Sequence, residues 1–336
     1  MYHRLRNRHT LTVVTFHRVL SRNDLRWTGA LAEWTVSDKV FEECLLFFRR
    51  HYNLIGLQDL LACLGGGGRL PPRSLLVTFD DGYADNEEYA LPLLLKHGVS
   101  AVLFLTSAFV NRRSRPWTED LLSAYERGLV SPEEVAKLHQ SLFGPQGDAS
   151  RDASVMLMDI CAQWTALADI DAERLCKATL RNPLERTMSP AQMLTSEQVK
   201  RIHAAGIAIG AHGRTHSSMA RSSDLGTELH QPPCAISNLL GLQSSDAINA
   251  LAFPYGEHSQ RVVKAALDAG YRLLFTFSSR LNPLRHGRLV SCVLDRVNVS
   301  GPKLAPDGST TPKRLARYFF FLPRSRTVAC EQEALT

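Results

Sequence analysis

Two neighbouring carboxylates, Asp80 and Asp81, close the apolar run of "LLVTFDDGYADN" (residues 75–86). Adjacent acids at the end of a strand repel each other and lose hydration when partly buried, so something must compensate them. The second half of the chain supplies "GAHGRTH", with His212 and His216 four apart directly after another apolar run. On one helical turn, residues at this spacing stand about 5–6 Å from each other and can chelate one cation. Two neutral imidazoles and one carboxylate make a three-ligand site with an open position, the arrangement in which hydrolytic zinc activates water. One aspartate can then bind the cation while its neighbour accepts the water's proton, and the cation offsets the repulsion within the pair. Taken singly, HxxxH is a weak pattern and DD is a common helix-capping pair.

The elements that must position these residues alternate. "LTVVTFH" (11–17) reads as a buried strand ending at His17, and residues 36–51 carry apolar side chains at helical spacing behind Ser37 and Asp38. Four glycines at 65–68 and two prolines at 71–72 precede a strand at Ser74–Phe79. A helix at 86–97, stopped by Gly98, leads to a strand at 100–106. Residues 111–196 are rich in Ala, Leu, Glu, Asp and Arg and read as a helical insertion with a loop at 143–150. Strands at 207–211, 247–253 and 271–277 then alternate with helices at 196–205, 224–240 and 260–269, and a last strand falls near 289–299. Repeated βα units predict an α/β fold with a parallel sheet and chemistry at the carboxyl ends of its strands.

"TFDDGYADN", "GAHGRTH" and "LAFPYG" occur in that order, each directly after an apolar strand. This trio resembles the polysaccharide deacetylases of the NodB-homology type, carbohydrate esterase family four, over residues 12–299 apart from the insertion. The resemblance implies a distorted (β/α) barrel with one divalent metal, most often Zn2+, that removes N- or O-acetyl groups from sugars. It implies that Asp80 is the general base, that Asp81, His212 and His216 are metal ligands, and that Tyr255 offers its backbone N–H to the oxyanion. Three departures stand out. Gly213 occupies a position where Ser or Thr is usual, and Ala252 one where many members carry an arginine that orients the base. Arg296, in "LDRVNV", is this chain's own candidate for that arginine. No late strand carries the family's leucine-plus-histidine motif; "LTVVTFH" looks like that strand moved to the N-terminus, as in circularly permuted members of exopolysaccharide biosynthesis. A barrel closes its first strand against its last, so the move preserves the site, and His17 becomes the expected general acid, with His286 as the alternative. Pro254 is a candidate to line the sugar site, and Trp117 either lines it too, since aromatic faces stack on sugars, or anchors the insertion. Asp85 reads as a helix cap or a substrate contact, and His203, His230 and His258 as surface positions.

The chain has 336 residues, 44% of them hydrophobic and 21% charged, an ordinary globular composition. Barrels of this class use about 250 residues as one domain, so residues 1–300 are expected to form the catalytic domain and 301–336 a basic tail. The net charge of +6 is spread over clusters at 4–8, 112–115 and 313–326, with no basic stripe flanked by aromatics, so nucleic acid is not an expected partner. Seven cysteines without a CxxC suit a reducing compartment. The basic N-terminus has too interrupted an apolar run for a secretory signal, and no stretch approaches the about 20 apolar residues of a membrane span. The expectation is a cytoplasmic hydrolase of an acetylated polysaccharide or saccharide precursor. Its rivals are a metal-dependent hydrolase of a non-sugar amide and an inactive carbohydrate-binding barrel.

Overall fold

The computed structural model describes residues 7–112, 116–144, 152–165, 167, 169–181 and 192–324. Cys330, the end of the expected tail and most of the expected loop at 143–150 lie outside the described residues.

Strands Thr10–Phe16, Ser74–Phe79 and Ala101–Leu105 are buried at every position. Their continuous runs of Val, Leu, Phe and Thr suit a parallel sheet covered on both faces. Ala208–Ala211, Ala250–Ala252, Leu273–Phe275 and Val293–Leu294 extend the sheet in that order, all in parallel. The sheet curls until residues 293–298 bridge its two edges. Val293 and Leu294 pair with Leu274 and Phe275, whereas Val297 and Asn298 pair with Val14 and Thr15 of the first strand. First and last strands are therefore neighbours, as the permuted order requires.

Alternation along each strand splits the core in two. Leu11, Val13, Leu76, Val102, Phe104 and Phe275 fill the barrel interior, and helix Leu57–Leu64 closes one end of it with Leu60 and Leu61. Val14, Phe16, Val77 and Leu103 face the outer helices. Helix Asp38–His51 begins where the Ser37 side chain accepts from the Val40 N–H, and it buries Phe41, Cys44, Leu45 and Phe48 at helical spacing. Beyond residue 300, helix Pro312–Phe320 buries Leu315 and Phe319, the latter edge-on to Phe48 at 5.0 Å between ring centroids.

The strand expected over 289–299 is broken into Arg288–Leu289, Val293–Leu294 and Val297–Asn298. The Asn282 side chain takes both the N–H and the C=O of Asp295 at 2.8 Å, which ends ladder pairing there and turns the chain from one sheet edge to the other. The insertion contains helices Trp117–Glu126, Pro132–Phe143, Ala153–Trp164 and Asp169–Thr179, with a core of its own around Leu121, Val135, Leu138, Leu157 and Ile160. Among the described residues, no helix is long and apolar enough to cross a membrane.

Candidate active site

His17, the Asp80–Asp81 pair, His212 and Tyr255 each follow the carboxyl end of a barrel strand, and Arg296 sits on the closing segment. All six line one cavity of about 200 Å³.

Arg296 lies inside the barrel, 1% exposed. Its guanidinium makes a two-pronged ion pair with Asp80, Nη1 to Oδ1 at 2.6 Å and Nη2 to Oδ2 at 2.7 Å. Nε donates to the Thr276 carbonyl at 3.0 Å, and Nη1 also reaches the hydroxyls of Thr15 and Thr78. A planar fork is the side chain best able to hold a carboxylate this way. Burial works to raise the pKa of Asp80, but Arg296 and His212 outweigh it and hold the carboxyl below its ordinary value.

Asp81, His212 and His216 place one ligand atom each within 4.8 Å of one another. Asp81 Oδ1 lies 3.2 Å from His216 Nε2 and 3.5 Å from His212 Nε2, yet this buried oxygen has no hydrogen-bond partner. Lone pairs converging on one point without bonding each other fit a small divalent cation. His212 Nδ1 donates to the Ala252 carbonyl at 2.8 Å, which fixes the tautomer and turns the Nε2 lone pair inward. Burial lowers the pKa of His212 to about 4, so its imidazole is neutral at pH 7 and free to ligate. Losing a partner behind a ligand costs about 10- to 100-fold in metal affinity, so His216→Ala should weaken Zn2+ binding by more than about a hundredfold. Full metal content in that variant, measured by atomic emission, would remove His216 from the ligand set.

The two histidines are not on a helical turn. They sit in the loop after Ala208–Ala211, their ring centroids 5.0 Å apart, because Gly213 (φ +73°) and His216 (φ +62°) take left-handed backbone. Glu228 organises this loop by accepting from the N–H groups of Arg214 at 2.7 Å and Thr215 at 3.1 Å. A Cβ at position 213 would stand 3.0 Å from the same carboxylate, which accounts for the glycine there. Asp81 (φ +71°) and Tyr255 (φ +59°) are also left-handed, so strain gathers at the site residues. Gly256 makes the Tyr255 turn possible: at φ +68°, an added Cβ would meet the Phe277 Cβ at 2.4 Å. Gly256→Ala should therefore cost about 2–4 kcal/mol and lower the melting temperature, and an unchanged melt would mean that the turn is adaptable.

His17 faces the cluster from the first strand, its Nε2 3.9 Å from Asp80 Oδ2. Its ring packs on Trp34 at 4.6 Å, with Phe277 at 6.2 Å, and burial lowers its pKa. The other expected acid, His286, is exposed in the hairpin turn between Asn282–Arg285 and Arg288–Leu289. That hairpin runs antiparallel to the first strand, pairing Pro283 with Thr10, and so carries His286 to the end of the barrel opposite the cavity. Trp117 is likewise not a sugar platform. It is 1% exposed, belongs to the insertion core and donates Nε1 to the Trp164 carbonyl at 3.0 Å. Pro254 is buried against Gly213 and does not line the cavity. Asp85 neither caps a helix nor faces the cavity: it pairs with buried Arg18 at 2.9 Å and accepts from the Val19 N–H. Trp34, Phe277, Glu119, Leu122 and Met158 do line the cavity, and no motif marked them. His203, His230 and His258 are exposed as expected.

A parallel barrel with paired carboxylates and two imidazoles at its carboxyl end defines a hydrolase of the NodB type. The polysaccharide deacetylase family profile matches residues 67–146 and 159–274, and the chain belongs to that family. It is 23% identical over 175 residues to the putative polysaccharide deacetylase YxkH of Bacillus subtilis (strain 168), a match spanning 51% of this chain and 60% of that relative, less than two-thirds of its length. Its fold is similar to the Streptococcus pyogenes deacetylase PplD solved with acetate (TM-score 0.56, 14% identity, 92% of this chain and 97% of that one). It is also similar to IcaB from Ammonifex degensii (TM-score 0.54, 19% identity, 89% of this chain and 97% of that one).

Proposed function

We propose that the chain is a metal-dependent deacetylase that hydrolyses the acetamide of an N-acetylated saccharide. The observation that carries this reading is the meeting, in one cavity, of an ionised carboxylate, a three-atom cation cradle and a second imidazole. Asp81, His212 and His216 would hold the cation, and the mixed nitrogen and oxygen donors favour Zn2+. Such a cation, when bound, makes water acidic and polarises a carbonyl oxygen.

The residues divide the remaining work. Asp80, kept ionised by Arg296, accepts the proton of the attacking water. The Tyr255 N–H, presented by its left-handed turn, donates to the oxyanion as the carbonyl becomes tetrahedral. His17 protonates the departing amine. Burial leaves His17 neutral at rest, so it takes up that proton during the reaction, and Asp80 at 3.9 Å is the nearby source. Acetate and a free amino sugar are the products. The catalytic unit of this reading runs to residue 300, with helix Pro312–Phe320 as a buttress behind it.

His17→Ala is the discriminating variant. It should lower turnover on an acetamide by about a hundredfold, with metal content unchanged, and should spare an activated phenyl acetate whose leaving group needs no proton. Equal losses on both substrates, together with a lowered melting temperature, would make His17 a packing residue only.

A further inference from the structure

The helical insertion stands across the mouth of the barrel and is tied to both of its rims. On one side, Ser123 Oγ donates to the Gly29 carbonyl at 3.2 Å, and the Glu126 carboxyl lies close enough to the Ala32 backbone for it to oppose the rise in pKa that burial causes. On the other side, the Tyr255 hydroxyl donates to the Cys161 carbonyl at 2.8 Å and meets Thr165 Oγ1 at 3.1 Å. The Ser218 N–H donates to the Ala162 carbonyl at 2.7 Å, and Arg221 pairs with Asp159 at 2.6 Å. Trp117 joins helices Trp117–Glu126 and Ala153–Trp164 through its bond to Trp164, so the two ties belong to one rigid span.

That span supplies a wall of the reacting cavity. Leu122 and Met158 from the insertion, with Leu31, Trp34 and Phe277 from the barrel, give it apolar walls, and Glu119 adds a carboxylate. Apolar and aromatic walls suit the methyl of an acetamide and the faces of one sugar ring. A glycan passing over Asp81, His212 and His216 would need an open trough with an exit at each end, and the two sets of ties obstruct it.

We propose that this chain deacetylates a terminal residue, so that its substrate is a chain end or a short precursor rather than the interior of a polymer; this rests on the deacetylase reading above. The insertion sets the limit, and the reacting groups do not.

The test uses Zn2+-loaded full-length protein and a panel of N-acetylhexosamine glycosides and oligomers of increasing length. Acetate is quantified, and the deacetylated positions are mapped by mass spectrometry. The expected result is modification of terminal residues only, with single-residue glycosides turned over as well as oligomers. Internal modification at a rate comparable to the ends overturns the proposal and leaves the deacetylase reading standing. No acetate from any member of the panel overturns both. The variant Ser123→Ala/Glu126→Ala, which cuts the ties on the Gly29 side without touching a reacting group, should raise the internal-to-terminal ratio by at least about tenfold. An unchanged ratio in a folded variant removes the insertion as the determinant. If that variant fails to fold, the product pattern of the unaltered protein still decides the proposal.

Discussion

Asp80→Asn is expected to lower acetamide turnover by about a thousandfold while leaving bound Zn2+ in place. The Asp80 carboxylate lies beside the cation cradle, 3.9 Å from His212 Nε2, without belonging to it, so asparagine removes the proton acceptor and spares the ligands. Asp81→Asn should do the reverse and lose metal first, because Asp81 contributes the carboxylate oxygen of the cradle. Metal analysis beside single-turnover rates separates the two. Identical behaviour of the two variants in both assays would sink the division of labour between neighbouring acids. Asparagine also leaves the Arg296 guanidinium facing one carbonyl oxygen and one amide N–H₂, so turnover must be compared below the melting temperature of the variant.

Arg296→Met is expected to destabilise the fold by about 3–5 kcal/mol, since it strands the buried Asp80 charge. The lost bonds to Thr276, Thr15 and Thr78 add to this, because they join strands on both sides of the closing segment. The double variant Asp80→Asn/Arg296→Met should be more stable than the sum of the two single losses predicts, by about 1–3 kcal/mol. Strict additivity in denaturant unfolding would mean that the pair is not coupled. Arg296→Lys should recover only part of the stability and little of the turnover, since a point charge cannot grip both carboxylate oxygens.

Most of the candidate site was legible in the sequence because its motifs sit directly after strong apolar runs. Strand ends fix direction, so "TFDDG", "GAHGRTH" and "FPYG" had to converge once the strands were parallel. The adjacency of His17 and Arg296 was readable for a related reason: closing a barrel makes its first and last strands neighbours, and Val297 does pair with Val14. His286 could not be excluded from the sequence, because the sign of the turn at "RHG" decides which end of the barrel it reaches. An antiparallel hairpin looks the same as a loop in composition. Trp117 stayed open between platform and anchor because an aromatic at the edge of an insertion fits both, and its bond to Trp164 selects the anchor. Trp34, Phe277 and Met158 gave no signal, since apolar residues that line a cavity obey the same patterns as those that fill a core. Glu228 was equally silent, its role fixed by three bonds to a loop thirteen or fourteen residues away.

The insertion packs around its own apolar centre, apart from the two centres of the barrel. Mutations can therefore accumulate in it without disturbing the strand ends. In an evolving lineage, one catalytic barrel could keep its reaction while successive versions of this appendage redirected it to new glycans. Heredity would then act on the reaction and on the choice of substrate at separate addresses in one gene.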